Sequence, residues 1–178
     1  HFFLSLEFRK QFETSLYNLP VTTSPFVVQK VEVWVTNKTG QNENSRNAVA
    51  FTDLGEHSFS TNSMWTDYPS VPPSNDANNI YSEMDNTWKA ARNLSEVSTV
   101  FNNSFFTTPG FSTAKDYEKI ENARRLNPSE YTLSETLGFI SLNSSLNNDE
   151  ILAVAYEYSY NGTIYKVGDL STDGIEAP

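Results

Sequence analysis

Apolar and polar residues alternate over Phe2–Arg9: Phe2, Leu4, Leu6 and Phe8 share one side, Phe3, Ser5, Glu7 and Arg9 the other. A period of two predicts a strand. The pattern suits any half-buried strand and also the end of a transmembrane barrel strand. Asn18-Leu19-Pro20 and Ser24-Pro25 then punctuate the chain. Phe26–Thr36 is the clearest strand, with Val31, Val33 and Val35 on one face and Lys30 and Glu32 on the other. Thr39–Asn47 reads as a polar loop, and Ala48–Leu54 as a returning strand closed by Gly55. Periodicity disappears over 56–79, where Pro69, Pro72 and Pro73 sit among Ser, Asn and Asp. An irregular stretch of that length is expected to be either functional or mobile.

Two segments have helical spacing. Tyr81, Met84, Trp88 and Ala91 fit one helix face, continued by Leu94, Val97 and Phe101. Ala114, Tyr117, Ile120 and Ala123 fit a second. Thr113 would cap it, Asp116 would sit in its first turn, Arg124 and Arg125 in its last, and Asn127-Pro128 would stop it. Phe105-Phe106 and Phe111 fall in an aromatic loop between the two. Gly138–Leu142 reads as a short strand. Asn161-Gly162 is the strongest hairpin signal in the chain. A two-residue turn there sets Tyr160 opposite Thr163, Tyr158 opposite Tyr165 and Tyr156 opposite Val167, with Glu157 facing Lys166 on the other side. These elements predict an α+β fold: mainly antiparallel sheet with a C-terminal β-hairpin and about two helices. The alternative is a β-sandwich or jelly roll with inserted helices. Residues 1–178 read as a single soluble domain of a larger chain.

Composition narrows the function. The 178 residues carry 12 Lys and Arg against 22 Asp and Glu, a net charge of −10. Binding to nucleic acid phosphates needs a basic stripe; the Lys and Arg are scattered among the acids, and the pair Arg124-Arg125 has Glu121 close by. No nucleic acid partner and no anionic membrane surface is expected. The absence of cysteine excludes disulfides, thiol nucleophiles and Cys-based zinc sites. No run approaches the ~20 apolar residues of a membrane helix.

Candidate chemistry is sparse. The histidines are His1 and His57, and no Gly-x-Ser-x-Gly elbow accompanies them. Asp53, Glu56 and His57 match no compact metal motif. Asp149-Glu150 and Asp169…Asp173-Gly174 lack the alternating carboxylates of a calcium loop and read as turns. With seven glycines there is no Gly-x-Gly-x-x-Gly or P-loop. The expectation is no catalytic residue, no metal, no cofactor and no small-molecule substrate. Paired carboxylates are a tertiary property that sequence does not reveal. Trp65, Tyr68, Phe105, Phe106 and Phe111 fall in expected loops. Exposed, they would form a partner surface; buried, they would hook long loops onto the core.

Several runs resemble the SprA (Sov) family of Bacteroidetes. They are Gln29–Asn37, Ser45–Glu56, Asp116–Leu126 and Ser129–Asn143. Leu146–Tyr156 continues the likeness to Tyr165–Asp169 and Asp173-Gly-Ile175. The likeness is weakest over 57–79. The resemblance implies a non-catalytic domain of the outer-membrane translocon of type IX secretion, which serves gliding motility. The expected location is outer membrane-associated, at the cell surface or periplasmic face. The implied partners are the rest of the translocon barrel, its accessory proteins and secreted cargo proteins. The competing reading is a carbohydrate-binding or adhesive cell-surface module, and a third is a secreted enzyme.

Overall fold

The computed structural model describes residues 1–38, 45–56, 72–77, 79–93 and 95–173. The strands are β1 (Phe2–Phe3), β2 (Phe26–Val35), β3 (Ser45–Phe51), β4 (Tyr117–Arg125), β5 (Tyr131–Ser134), β6 (Phe139–Leu142), β7 (Leu152–Tyr160) and β8 (Thr163–Val167). The helices are α1 (Leu6–Ser15), α2 (Asn79–Asn86), α3 (Val97–Phe101) and α4 (Ser104–Thr107), with a 3₁₀ turn at Lys89–Arg92. The fold is α+β and mainly antiparallel sheet, as expected. One sheet has the order β1-β6-β5, the other β3-β4-β2-β7-β8. Among the described residues no helix is long and apolar enough to cross a membrane.

The main core lies between the two sheets and α1. Val28, Val33 and Val35 of β2 and Tyr156 and Tyr158 of β7 meet Ile140 of β6 and Phe8 of α1 there. β2 pairs with β7 along its whole length, with a bulge between Val28 and Lys30. β2 meets β4 only at Trp34↔Arg125 and Val35↔Arg124. The β3–β4 pair therefore overlaps the rest of the sheet at one end and extends past it. Its Tyr117 is buried under the helical layer of α2, α3 and α4, with Val49 and Phe51 half-buried against the same cluster.

The C-terminal hairpin has the expected register: Tyr156↔Val167, Glu157↔Lys166, Tyr158↔Tyr165 and Tyr160↔Thr163. Asn161 and Gly162 have φ of 49° and 81°, as a two-residue primed turn requires. A Cβ at Gly162 would meet nothing within 4 Å. Gly162→Val should therefore lose only what the left-handed backbone costs a β-branched residue, about 1–2 kcal/mol. Glu157→Gln, which removes the 2.8 Å contact with exposed Lys30, should leave the midpoint nearly unchanged. Urea midpoints of the two variants check the ordering; a larger loss for Glu157→Gln contradicts it.

Two expected elements differ from the structure. Past β1, the segment expected as a strand over Phe2–Arg9 is helix α1. Leu4 and Phe8 are four residues apart, a spacing that fits a helix face as readily as a strand face; Leu4 is buried just before the helix and Phe8 in its first turn. Capping decides the outcome. Ser5 adopts an extended conformation and its Oγ accepts from Phe8 N, while Glu56 accepts from Leu6 N at 3.1 Å and Glu7 N at 3.0 Å.

The helix expected from Ala114 to Arg125 is strand β4. Its three-residue spacing has two origins. Tyr117 faces the helical layer, whereas Ile120 and Ala123 face Trp34 on the other side. Ile120 and Ala123 share that face because β4 takes one extra residue opposite Arg46–Ala48. The bulge is held by Asn122 at φ 49°, whose N–H donates to Asn47 Oδ1 at 3.0 Å. Thr113 and Asp116 cap no helix; Asp116 accepts from Ser112 N in a turn.

The irregular stretch 56–79 lies mostly outside the described residues, as does part of the loop 39–47. Its described part is firmly held. Pro73 is buried, and its carbonyl accepts from Tyr158 Oη. Asn75 donates from its N–H to Lys166 O, and its Oδ1 accepts from Gly168 N.

Candidate functional site

A groove of about 550 Å³ runs beside β3, bounded by the start of β7 and by α2 with its following 3₁₀ turn. Small side chains line it: Ala48 and Ala50 from β3, Ala153 and Ala155 from β7. Trp34 belongs to the same apolar group, because it shares the Lys30 and Glu32 side of β2 and turns away from the valines. The Arg46 guanidinium lies 5.7 Å from the centre of the Trp34 ring, a cation–π contact. Arg46 forms no ion pair among the described residues.

One wall is a polar knot. Tyr81 Oη donates to Asp169 Oδ1 at 2.8 Å, and Arg92 Nη2 donates to Asp169 Oδ2 at 3.3 Å and to Asp85 Oδ1 at 3.2 Å. Burial, reinforced by the hydrogen bond to Asp169, pushes the Tyr81 phenol far above its usual range. It stays a neutral donor at any physiological pH. At the groove's other end stands Glu56, both of whose oxygens accept from the α1 amides. Each of these carboxylates thus has both oxygens already engaged by donors. This arrangement ties α2 and the 3₁₀ turn to the turn after β8, and α1 to the turn after β3. Trp88 also lines the groove, and its Nε1–H is buried with no acceptor among the described residues. Among the described residues no group of three or more metal-binding side chains is assembled.

Burial pushes the Glu56 carboxyl above its usual range, against the pull of its two amide donors. A folded pKa above the unfolded one means the native state holds the proton more tightly. That contribution is fully present below about pH 4.5 and is lost as pH rises through the raised value. Wild type should therefore lose stability relative to Glu56→Gln between pH 4 and pH 7, measured as paired urea midpoints. A gap moving in favour of wild type would contradict this.

Of the candidate partner-surface aromatics, two of the three described ones are core, as the hook reading has it. Phe106 is 0% exposed and Phe111 6% exposed, both inside the core of the helical layer with Phe101 and Tyr117. Phe111 stacks on Tyr117 at 5.3 Å, and Phe106 meets Phe101 edge-on at 4.8 Å. They act as hooks, since the helices of this layer are four to eight residues long and need large side chains to hold them down. Phe105 alone of the three stays at the surface. Trp65 and Tyr68 lie outside the described residues, as does His57.

Three of the four most exposed large apolar side chains among the described residues follow α1, and sequence reasoning passed over them; the other is Ile164 of β8. Tyr17 is 88% exposed, Leu19 65% and Val21 61%. Their only local signal was three apolar residues inside a turn, where the punctuation of Asn18 and Pro20 drew attention instead. No protein-family model matches this chain, and no curated protein matches it.

Proposed function

We propose that the chain is a non-catalytic domain of an SprA-type outer-membrane translocon, serving type IX secretion and gliding motility as a scaffold and interaction module. The observation that carries this reading is where the resembling runs fall. Gln29–Asn37, Ser45–Glu56, Asp116–Leu126, Leu146–Tyr156 and Tyr165–Asp169 are scattered in sequence, yet they are β2, β3 with its turn, β4, β7 and β8, the neighbours of one sheet. Ser129–Asn143 supplies β5 and β6. The likeness follows the framework, as a shared fold would require, and avoids the helical layer. The hydrogen bonds that Glu56 and Asp169 accept on both oxygens tie neighbouring elements together, which suits a binding or structural role. The partners in this reading are the rest of the barrel, its accessory proteins and cargo, at the cell surface or the periplasmic face of the outer membrane.

The test is deletion of this domain within the parent protein, with a short linker in its place. The expected outcome is a barrel that still inserts in the outer membrane but exports cargo poorly. Undiminished export and gliding would sink the reading. The second reading, a carbohydrate-binding or adhesive module, draws on Trp34, Tyr81 and Trp88 along the groove. Glycan-array binding that disappears in Trp34→Ala would favour it.

A further inference from the structure

Asn161 and Gly162 form the tip of the C-terminal hairpin, beyond its last ladder pair Tyr160↔Thr163. Both are exposed. Among the described residues the Asn161 carboxamide makes no hydrogen bond and the Gly162 N–H has no acceptor. Gly162 has no side chain to cover its amide, and nothing lies within 4 Å of where a Cβ would be. A free carboxamide therefore stands next to a free, unshielded backbone nitrogen.

We infer that Asn161 is a covalent modification site, where the folded hairpin undergoes deamidation through its neighbour Gly162. The inference does not depend on the translocon reading. The Gly162 nitrogen, having lost its proton, attacks Asn161 Cγ. An N–Cγ bond forms and the Cγ–Nδ2 bond breaks. Nδ2 leaves as ammonia, taking up the proton, and a five-membered succinimide remains. Water then opens the ring on one of two sides. Cleavage of the new N–Cγ bond gives aspartate on an unaltered main chain. Cleavage between the Asn161 carbonyl carbon and the Gly162 nitrogen gives isoaspartate, whose main chain runs through Cγ. The sum consumes water and releases ammonia, with no oxidant or metal. Ring closure needs the peptide plane between the two residues to turn, and glycine accepts the φ values passed on the way without steric cost.

The structure also says which asparagines stay intact. Asn103-Ser104 and Asn143-Ser144 are exposed pairs with a small following residue. Their carboxamides are held: Asn103 Oδ1 accepts from Phe105 N at 2.9 Å, and Asn143 Nδ2 donates to Ser129 O at 2.7 Å. Neither can swing its Cγ onto the next nitrogen without losing that bond. The two products at residue 161 differ in what they do to the fold. Asp-Gly favours the same primed turn as Asn-Gly, so aspartate keeps the register and adds one negative charge to a chain of net charge −10. Isoaspartate adds a carbon to the main chain of a two-residue turn. The geometry that matches the strand twist is then lost beside Tyr160, which stacks on Phe26 at 4.6 Å.

Incubation of the folded full chain at mildly alkaline pH, followed by peptide mass mapping, tests this. The peptide holding residue 161 should gain the mass of one deamidation at least ~10-fold faster than those holding Asn103 or Asn143. The rate should rise with pH, because the attacking amide must lose its proton. Isoaspartate, read by enzymatic methylation, should accumulate in that peptide. A urea-unfolded control should react at residue 161 within ~10-fold of the folded rate, since a hairpin tip opens at little cost. Asn161→Asp should keep the wild-type urea midpoint, while the isoaspartate fraction of aged protein should unfold at lower urea. An Asn161 that stays intact in the folded protein while the unfolded control reacts overturns the proposal, because the turn would then protect the site. So does faster reaction at Asn103 or Asn143, or none at residue 161 in either state.

Discussion

Gly138→Ala should cost on the order of 4 kcal/mol or more, the largest loss expected from any single methyl group in this chain. Gly138 sits in the β5–β6 turn at φ +63°, where an L side chain is already strained by about 1–2 kcal/mol. The decisive part is space. A Cβ built there falls 2.0 Å from Phe8 Cδ1 and 2.1 Å from Phe8 Cγ. Phe8 cannot give way, because it is 2% exposed and wedged edge-on against Phe26, Tyr156 and Tyr158. The turn cannot retreat without breaking the 2.9 Å bond from Leu4 N to Gly138 O, which fixes the entry to α1. Chemical denaturation measures the loss against a total stability of about 5–15 kcal/mol. The mechanism has its own check. In a Phe8→Ala background the same substitution should cost far less, because the clash has been removed. A single variant within 1 kcal/mol of wild type would show that α1 does not lie where described.

Tyr158→Ala should be the next most damaging change, at about 3–5 kcal/mol. Tyr158 is 0% exposed, stacked on Tyr165 at 5.6 Å across the hairpin and packed against Phe26 at 5.8 Å. It does two jobs. The ring fills the core between the sheets, and the hydroxyl donates to Pro73 O, the acceptor that ties down the segment before α2. Tyr158→Phe separates the two. It keeps the ring, leaves the Pro73 carbonyl without its donor, and should cost about 1–2 kcal/mol. The Phe variant should also speed protease cleavage around 72–77 more than cleavage in the sheet. Equal losses for Phe and Ala would mean that the hydroxyl, rather than the ring, carries the stabilisation.

The strands whose pattern is self-sufficient were legible in the sequence. β2 announces itself by β-branched residues at period two, and the hairpin by a turn dipeptide whose register also brings Glu157 opposite Lys166. The failures have physical causes. Leu4 and Phe8 satisfy both periods, and the choice between them is made by Glu56, a capping group far along the chain. At β4 a bulge at Asn122 stretches the strand's period so that Ile120 and Ala123 mimic a helix face. The expected aromatic loop contains α4, and the hook reading of its side chains holds for Phe106 and Phe111, which are core because the short helices around them bury little else. The groove depends on Trp34, Arg46, Tyr81 and Asp169, which come from three separate elements and the turn after β8 and have no shared local spacing.

The pairing of β2 with β7 sets the order in which this chain can fold. β2 ends at Val35 and its principal partner begins at Leu152; β1 waits similarly for β6. During synthesis the first strands must therefore remain without their partners until most of the chain has emerged. Closing loops of that length precedes any reward from the contacts, so folding is expected to be slow and late. Until then the valine face of β2 and the aromatic face of α1 are open to other chains, the state in which such segments aggregate or are held by chaperones. The β3–β4 pair, with its helical layer, spans only residues 45–125 and can form ahead of them.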